Sequence, residues 1–150
     1  MMIRAALAFF TRLPVGSAPL PSSFRGIMIW FPVVGLIVGG LAALLTGVAA
    51  LRLPAPLCGV LGCLAWVLIT GGLHLDGVAD CGDGLLVEAP PARRLEIMKD
   101  SRLGTFGGTA LFFVLALKAT ALGTLVASFD AGWNAFFALA GVCCMAATLA

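Results

Sequence analysis

The sequence predicts an all-α fold, a polytopic transmembrane helical bundle, on three observations. Of its 150 residues, 61% are hydrophobic and 11% charged, and the mean hydropathy is +1.12. A chain of this size has too little polar surface to cover that many apolar side chains, so it needs lipid as solvent. Its charge-free runs approach or exceed the roughly 20 residues that a helix needs to cross the hydrocarbon core. Its charges are gathered into short segments between those runs.

Residues 1–23 begin with Arg4 ahead of an apolar stretch, in the manner of a signal peptide, but Arg12 interrupts that stretch early. An interfacial segment, with a helix ended by Pro14, is expected instead. The run 26–51 carries no charge and reads as the first span. Arg52 and the Pro54/Pro56 pair then make a tight turn, and 53–73 reads as the second span. Residues 74–102 form a charged loop, 103–129 a third span containing Lys118, and 131–150 a fourth after Asp130. Three to four spans in one membrane domain are therefore expected, without internal repeats.

The net charge of +2 gives no reason to expect nucleic acid as a partner, and the placement of the charges is more informative than their sum. Arg4, Arg12 and Arg25 precede the first span, and Arg93, Arg94, Lys99 and Arg102 lie between the second and third. Arg52 is the one basic residue on the opposite side. Basic residues favour the cytoplasmic face, which puts the N-terminus and the loop 74–102 in the cytoplasm. Cys58, Cys63, Cys81, Cys143 and Cys144 show no zinc-site spacing, and four of them lie in apolar runs. No disulfide framework is expected.

Six of the seven acidic residues fall in that loop: Asp76, Asp80, Asp83, Glu88, Glu96 and Asp100. On a helix, Asp76, Asp80 and Asp83 lie at about 0°, 40° and −20° and share one face. Carboxylates so stacked repel one another unless a cation sits between them. Mg²⁺ takes oxygen ligands, keeps waters and is commonly shared with substrate phosphate, so Asp76, Asp80 and Asp83 are the candidate metal ligands. Gly71, Gly72, Gly77, Gly82 and Gly84 surround them at a cost of about 1 kcal/mol each inside a helix, which close approach of a ligand would explain. The plain alternative is a solvated acidic turn.

Pro91 is placed to start a short helix, and Arg93, Arg94, Lys99 and Arg102 are candidate phosphate contacts, with lipid headgroups as the alternative. Lys118 sits mid-span, where an ionised side chain costs about 3 kcal/mol unless paired or hydrated, so a partner inside the bundle is expected. His74 is open to three readings: metal ligand, proton shuttle or interfacial residue.

The stretch Gly71-Gly72-Leu73-His74-Leu75-Asp76-Gly77-Val78-Ala79-Asp80-Cys81-Gly82-Asp83-Gly84 resembles the signature of the cobalamin synthase family, the adenosylcobinamide-GDP ribazoletransferases. The stretch from Arg94 through Lys99-Asp100-Ser101-Arg102 to Gly104-Thr105-Phe106-Gly107 resembles that family's second block. The openings Phe10-Thr11-Arg12-Leu13-Pro14-Val15 and Phe31-Pro32-Val33-Val34-Gly35 add two more blocks in order. Cys81-Gly82 departs from the pattern, where something closer to Thr-Ala is expected.

The resemblance implies a Mg²⁺-dependent transferase of the bacterial inner membrane, multi-pass, with the motif loop facing the cytoplasm. Its substrates would be adenosylcobinamide-GDP and α-ribazole or its 5′-phosphate, its products the cobalamin or its 5′-phosphate and GMP. The implied chemistry is attack of the ribazole 5′-hydroxyl on the phosphate attached to cobinamide. Asp83 is the expected general base, with Asp80, His74 and Lys118 as further catalytic candidates. Gly77 and Gly84 join the four basic residues as substrate contacts. Family members are longer, so the chain reads as truncated, and a homo-oligomer is compatible with the sequence.

A CDP-alcohol phosphotransferase is the nearest rival, but that pattern has an Ala-Arg pair between its second and third aspartates, and Cys81-Gly82 holds no arginine. An ion or proton transporter using Asp76, Asp80 and Lys118 is the rival of a different class, for which the acids should lie at mid-membrane.

Overall fold

In the computed structural model, which describes residues 2–16 and 25–128, every regular element is a helix. They are α1 (Met2–Phe10), α2 (Arg25–Met28), α3 (Phe31–Ala50), α4 (Ala55–Thr70), α5 (Leu73–Leu85), α6 (Pro91–Ile97) and α7 (Thr105–Ser128). The expected fourth span, 131–150, lies outside the described residues. The described chain separates into two compact units. One holds the residues up to Gly71 together with α7 from Lys118 onward; the other is Gly72–Leu117.

In the first unit, α1 buries Ala5 and Ala6, and its end is tied down by Thr11, whose N–H and hydroxyl both donate to the Leu7 carbonyl oxygen. Proline disfavours helical backbone in the residue before it, so the helix does not run on through Leu13-Pro14. The Phe10 ring meets Phe31 edge-on at 4.5 Å between centroids, joining α1 to α3. The run 26–51 is not one helix: α2 closes in a turn at Ile29-Trp30, and α3 begins with a proline in its first positions, where the missing N–H costs nothing.

α3 buries Val34, Gly35, Val38, Gly39, Ala42, Ala43 and Thr46, and α4 buries Cys58, Gly59, Gly62, Cys63 and Trp66. Both sets repeat every four residues, and most members are small, which lets helix backbones approach closely in lipid. A Cβ on Gly62 would collide with the Thr46 hydroxyl, and one on Gly59 with the Ala119 carbonyl oxygen and the Gly123 backbone on α7. The opposite faces of these helices expose Leu36, Leu44, Leu45, Val48, Val60, Leu64 and Leu68, side chains that suit hydrocarbon rather than water.

α3, with 20 residues, and α7, with 24, are each long and apolar enough to cross a membrane. α4 has 16 residues and meets that test only jointly with α5, across a break at Gly71-Gly72. Both glycines there have positive φ, 68° and 76°, which side chains with a Cβ rarely adopt. The Arg12 N–H donates to the Ile69 carbonyl oxygen at 2.7 Å and the Arg12 side chain lies against Gly71, so the N-terminal segment is bonded to the last turn of α4.

Candidate functional site

All three motif aspartates lie on α5, in the second unit. α5 forms despite three internal glycines because tertiary packing compensates for their poor propensity: Ala79, Gly82 and Gly84 are buried. Gly82 lies against Phe106, Gly107 and Ala110 in the first turns of α7, where a Cβ would come within 2.9 Å of the Ala110 methyl. Gly84 is covered by Met98, which follows α6, so its lack of a side chain is explained by packing, and the substrate contact expected of it has no free surface. Gly77 differs. A Cβ there would meet nothing within 4 Å, so packing gives no reason for a glycine.

Asp76 and Asp80 stand one helical turn apart, Asp76 exposed and Asp80 half-buried, without a hydrogen bond or ion pair to any described residue. Asp83 is bonded on both oxygens: Oδ2 accepts from the Gly104 N–H at 2.7 Å and Oδ1 from the Gly107 N–H at 2.8 Å. Among the described residues no three His, Cys, Asp or Glu side chains gather into a metal-holding group. The expected three-carboxylate cluster is therefore not assembled. What remains compatible with a hard divalent cation is the Asp76/Asp80 pair, which suffices for Mg²⁺ bound by one or two carboxylates, waters and substrate phosphate.

The basic residues of the same unit are mostly engaged. Arg93 pairs with Glu96 at 2.7 Å, and Arg94 donates from Nε to the Ala89 carbonyl oxygen at 2.8 Å. Arg102 binds both oxygens of Asp100, at 3.0 and 2.6 Å for the two guanidinium nitrogens. That fork, followed by the Arg102 backbone N–H, holds the Asp100 carboxyl well below the usual range, at about 2. Lys99 is exposed and has no ion pair among the described residues. Exposed pairs of this kind are weak and exchange readily for a phosphate.

His74 lies in the first turn of α5, half-buried, with its Nε2 shielded from solvent. Lys118 belongs to the other unit, where its ammonium sits 3.4 Å from the centroid of the Trp66 ring. The ring face carries the negative end of the aromatic quadrupole, so Trp66 is a partner that sequence reasoning did not name. Gly104 and Gly107 also gained no individual role from the sequence. The available signal was a pair of glycines three apart at a helix start, which leaves the helix without a capping side chain of its own.

The model of the cobalamin-5-phosphate synthase family matches residues 2–150. The chain belongs to the cobalamin-5-phosphate synthase family. Similar proteins bearing the name adenosylcobinamide-GDP ribazoletransferase include one from Klebsiella pneumoniae (strain 342), 44% identical over 129 residues, which covers 81% of this chain and 51% of the relative. One from Brevibacillus brevis is 42% identical over 141 residues, 91% of this chain and 55% of the relative. A third, from Escherichia coli (strain K12 / DH10B), is 44% identical over 126 residues, 81% and 51%. The chain thus spans about half the length of the curated relatives it matches. No solved structure matches it. In this member of the cobalamin-5-phosphate synthase family, then, the motif helix α5 carries one aspartate bonded to α7 and two with no such bond.

Proposed function

We propose that this chain provides the metal- and phosphate-handling part of an adenosylcobinamide-GDP ribazoletransferase of the bacterial inner membrane. The observation that carries the reading is the family match over residues 2–150. The Asp76/Asp80 pair beside the open backbone of Gly77 supports it.

In this reading a ribose hydroxyl of α-ribazole, or of its 5′-phosphate, attacks the phosphorus attached to cobinamide. A new P–O bond forms as the hydroxyl gives up its proton to solvent, the bond from that phosphorus to the oxygen bridging to GMP breaks, and GMP leaves with that oxygen. The family description, a cobalamin-5-phosphate synthase, has the product keep a 5-phosphate. That name supports attack by a ribose hydroxyl other than the 5′, in place of the 5′-hydroxyl expected from the sequence. Asp76 and Asp80 would hold Mg²⁺, which when bound neutralises charge on the diphosphate and on the departing GMP. Lys99 and Arg102 supply positive charge at the phosphates, Arg102 by exchanging Asp100 for substrate. Gly77 allows a phosphate or ribose to approach the α5 backbone closely. The general-base role expected of Asp83 does not fit a carboxylate bonded to two helix N–H groups.

The test is formation of cobalamin and GMP from adenosylcobinamide-GDP and α-ribazole by detergent-solubilised protein, with Mg²⁺ and with EDTA, alongside a chain extended to the length of the relatives. Mg²⁺-dependent product that falls at least about 100-fold in Asp76→Asn and Asp80→Asn is expected. Product that persists in EDTA, or full activity in both variants, would overturn the metal assignment. No product from either length would overturn the activity.

A further inference from the structure

We infer that Asp83 is a positioning residue, a helix cap supplied in trans, and not a ligand of the cation. The first four N–H groups of a helix have no partner within it and are usually satisfied by a side chain at the N-cap. At the start of α7 the Gly108 N–H donates to the Gly104 carbonyl oxygen at 3.0 Å, which makes Gly104 the N-cap and Gly107 the third helical residue. In a capping box the N-cap side chain accepts from the third residue's N–H, and the third residue's side chain accepts from the N-cap N–H. Both positions here are glycine, so neither bond can be made locally.

The carboxylate of Asp83 makes both, one with each oxygen, from a helix more than twenty residues earlier. A negative group at this end also complements the positive end of the helix dipole. The two glycines are shaped to it. A Cβ on Gly104 would meet the Asp83 carboxylate and nothing nearer, and a Cβ on Gly107 would meet the same carboxylate and the Ala79 carbonyl oxygen. Asp83, Gly104 and Gly107 therefore act as one lock between α5 and α7. It closes the loop bearing α6, Lys99 and Arg102 onto the helix that carries Asp76 and Asp80. What the lock serves rests on the proposed function; the lock itself is tested without it.

The geometry suggests a rescue. Because the space beside Gly104 is taken up by the Asp83 carboxylate, Asp83→Ala makes room for a serine at 104. A serine hydroxyl there is a good N-cap in cis but a poor replacement for a carboxylate on a divalent cation. The experiment measures amide hydrogen exchange across 103–110 and binding of Mn²⁺ by electron paramagnetic resonance, on the full chain in detergent. Asp83→Ala should speed exchange at 104 and 107 roughly five- to tenfold, and adding Gly104→Ser should restore most of the protection at 107 but not at 104, whose own N–H the serine does not accept. Mn²⁺ affinity should stay within about twofold in both, while Asp76→Asn and Asp80→Asn weaken it about tenfold or more.

Loss of Mn²⁺ affinity in Asp83→Ala that serine does not restore would overturn the inference, as would unchanged exchange. If Asp83→Ala does not fold, Asp83→Asn, which keeps the volume and one acceptor oxygen, is compared with the parent without the serine: exchange should rise at 104 or 107 while Mn²⁺ affinity stays within about twofold, and the opposite pattern would overturn the inference. Absence of Mn²⁺ binding in the parent chain would count against the metal site and leave exchange alone to decide the lock.

Discussion

The glycines of the motif divide by what a methyl group at each would touch. At Gly82 and Gly84 it would strike α7 or Met98, so these residues are fixed by packing, whereas at Gly77 it would enter open space. Gly77→Ala should therefore stabilise α5 by up to about 1 kcal/mol, since nothing is displaced and helix propensity improves. If substrate approaches that backbone, the same change should raise KM for adenosylcobinamide-GDP about tenfold; thermal unfolding and steady-state kinetics on one preparation check both. The Asp100–Arg102 fork makes a prediction about pH. Its folded pKa of about 2 is depressed, so any stabilisation is complete above the ordinary carboxylate value and is lost as pH falls toward 2. A carboxyl carbon NMR titration should show Asp100 ionised throughout the neutral and mildly acidic range, and Arg102→Ala should return its midpoint toward 3.8.

At the scale of elements, α4 and α7 meet through small residues and one charge. Gly59 allows the two backbones to touch near Ala119 and Gly123, and Trp66 takes Lys118 over its face. The sequence required a partner for a mid-span lysine but gave no distance information with which to choose it. Trp66→Leu should lower thermal stability in detergent by about 3 kcal/mol, combining lost ring volume with the lost cation–π contact. With Lys118→Met already present, the same change should cost about 1 kcal/mol less, and a double-mutant cycle measures that coupling. Equal costs in both backgrounds would mean the contact contributes nothing. The helix break at Gly71-Gly72 also belongs to this scale: the charge-free run 53–73 indicated one span, but two successive positive-φ glycines end α4 after 16 residues.

For the whole molecule, the prediction concerns which side of the membrane the motif faces. Cys81 is exposed on α5, while Cys58 and Cys63 are buried in α4. In a background with Cys143→Ser and Cys144→Ser, a membrane-impermeant maleimide should label Cys81 in inside-out vesicles and not in right-side-out ones. The reverse pattern would invert the topology drawn from the basic residues.

Composition and charge spacing by themselves determined that the chain is helical and membrane-embedded, because solvent physics leaves no other place for so many apolar side chains. Its motif blocks determined the family. Helix periodicity also put Asp76, Asp80 and Asp83 on one face, and they do share α5. Periodicity describes one helix at a time, however, and says nothing of what a neighbouring helix offers. Only the tertiary structure brought the start of α7 to Asp83, giving it two N–H donors that Asp76 and Asp80 do not have, and only it set Trp66 under Lys118. Those pairings join residues distant in sequence, and they are decided by backbone approach at glycines that any linear pattern reads simply as helix breakers.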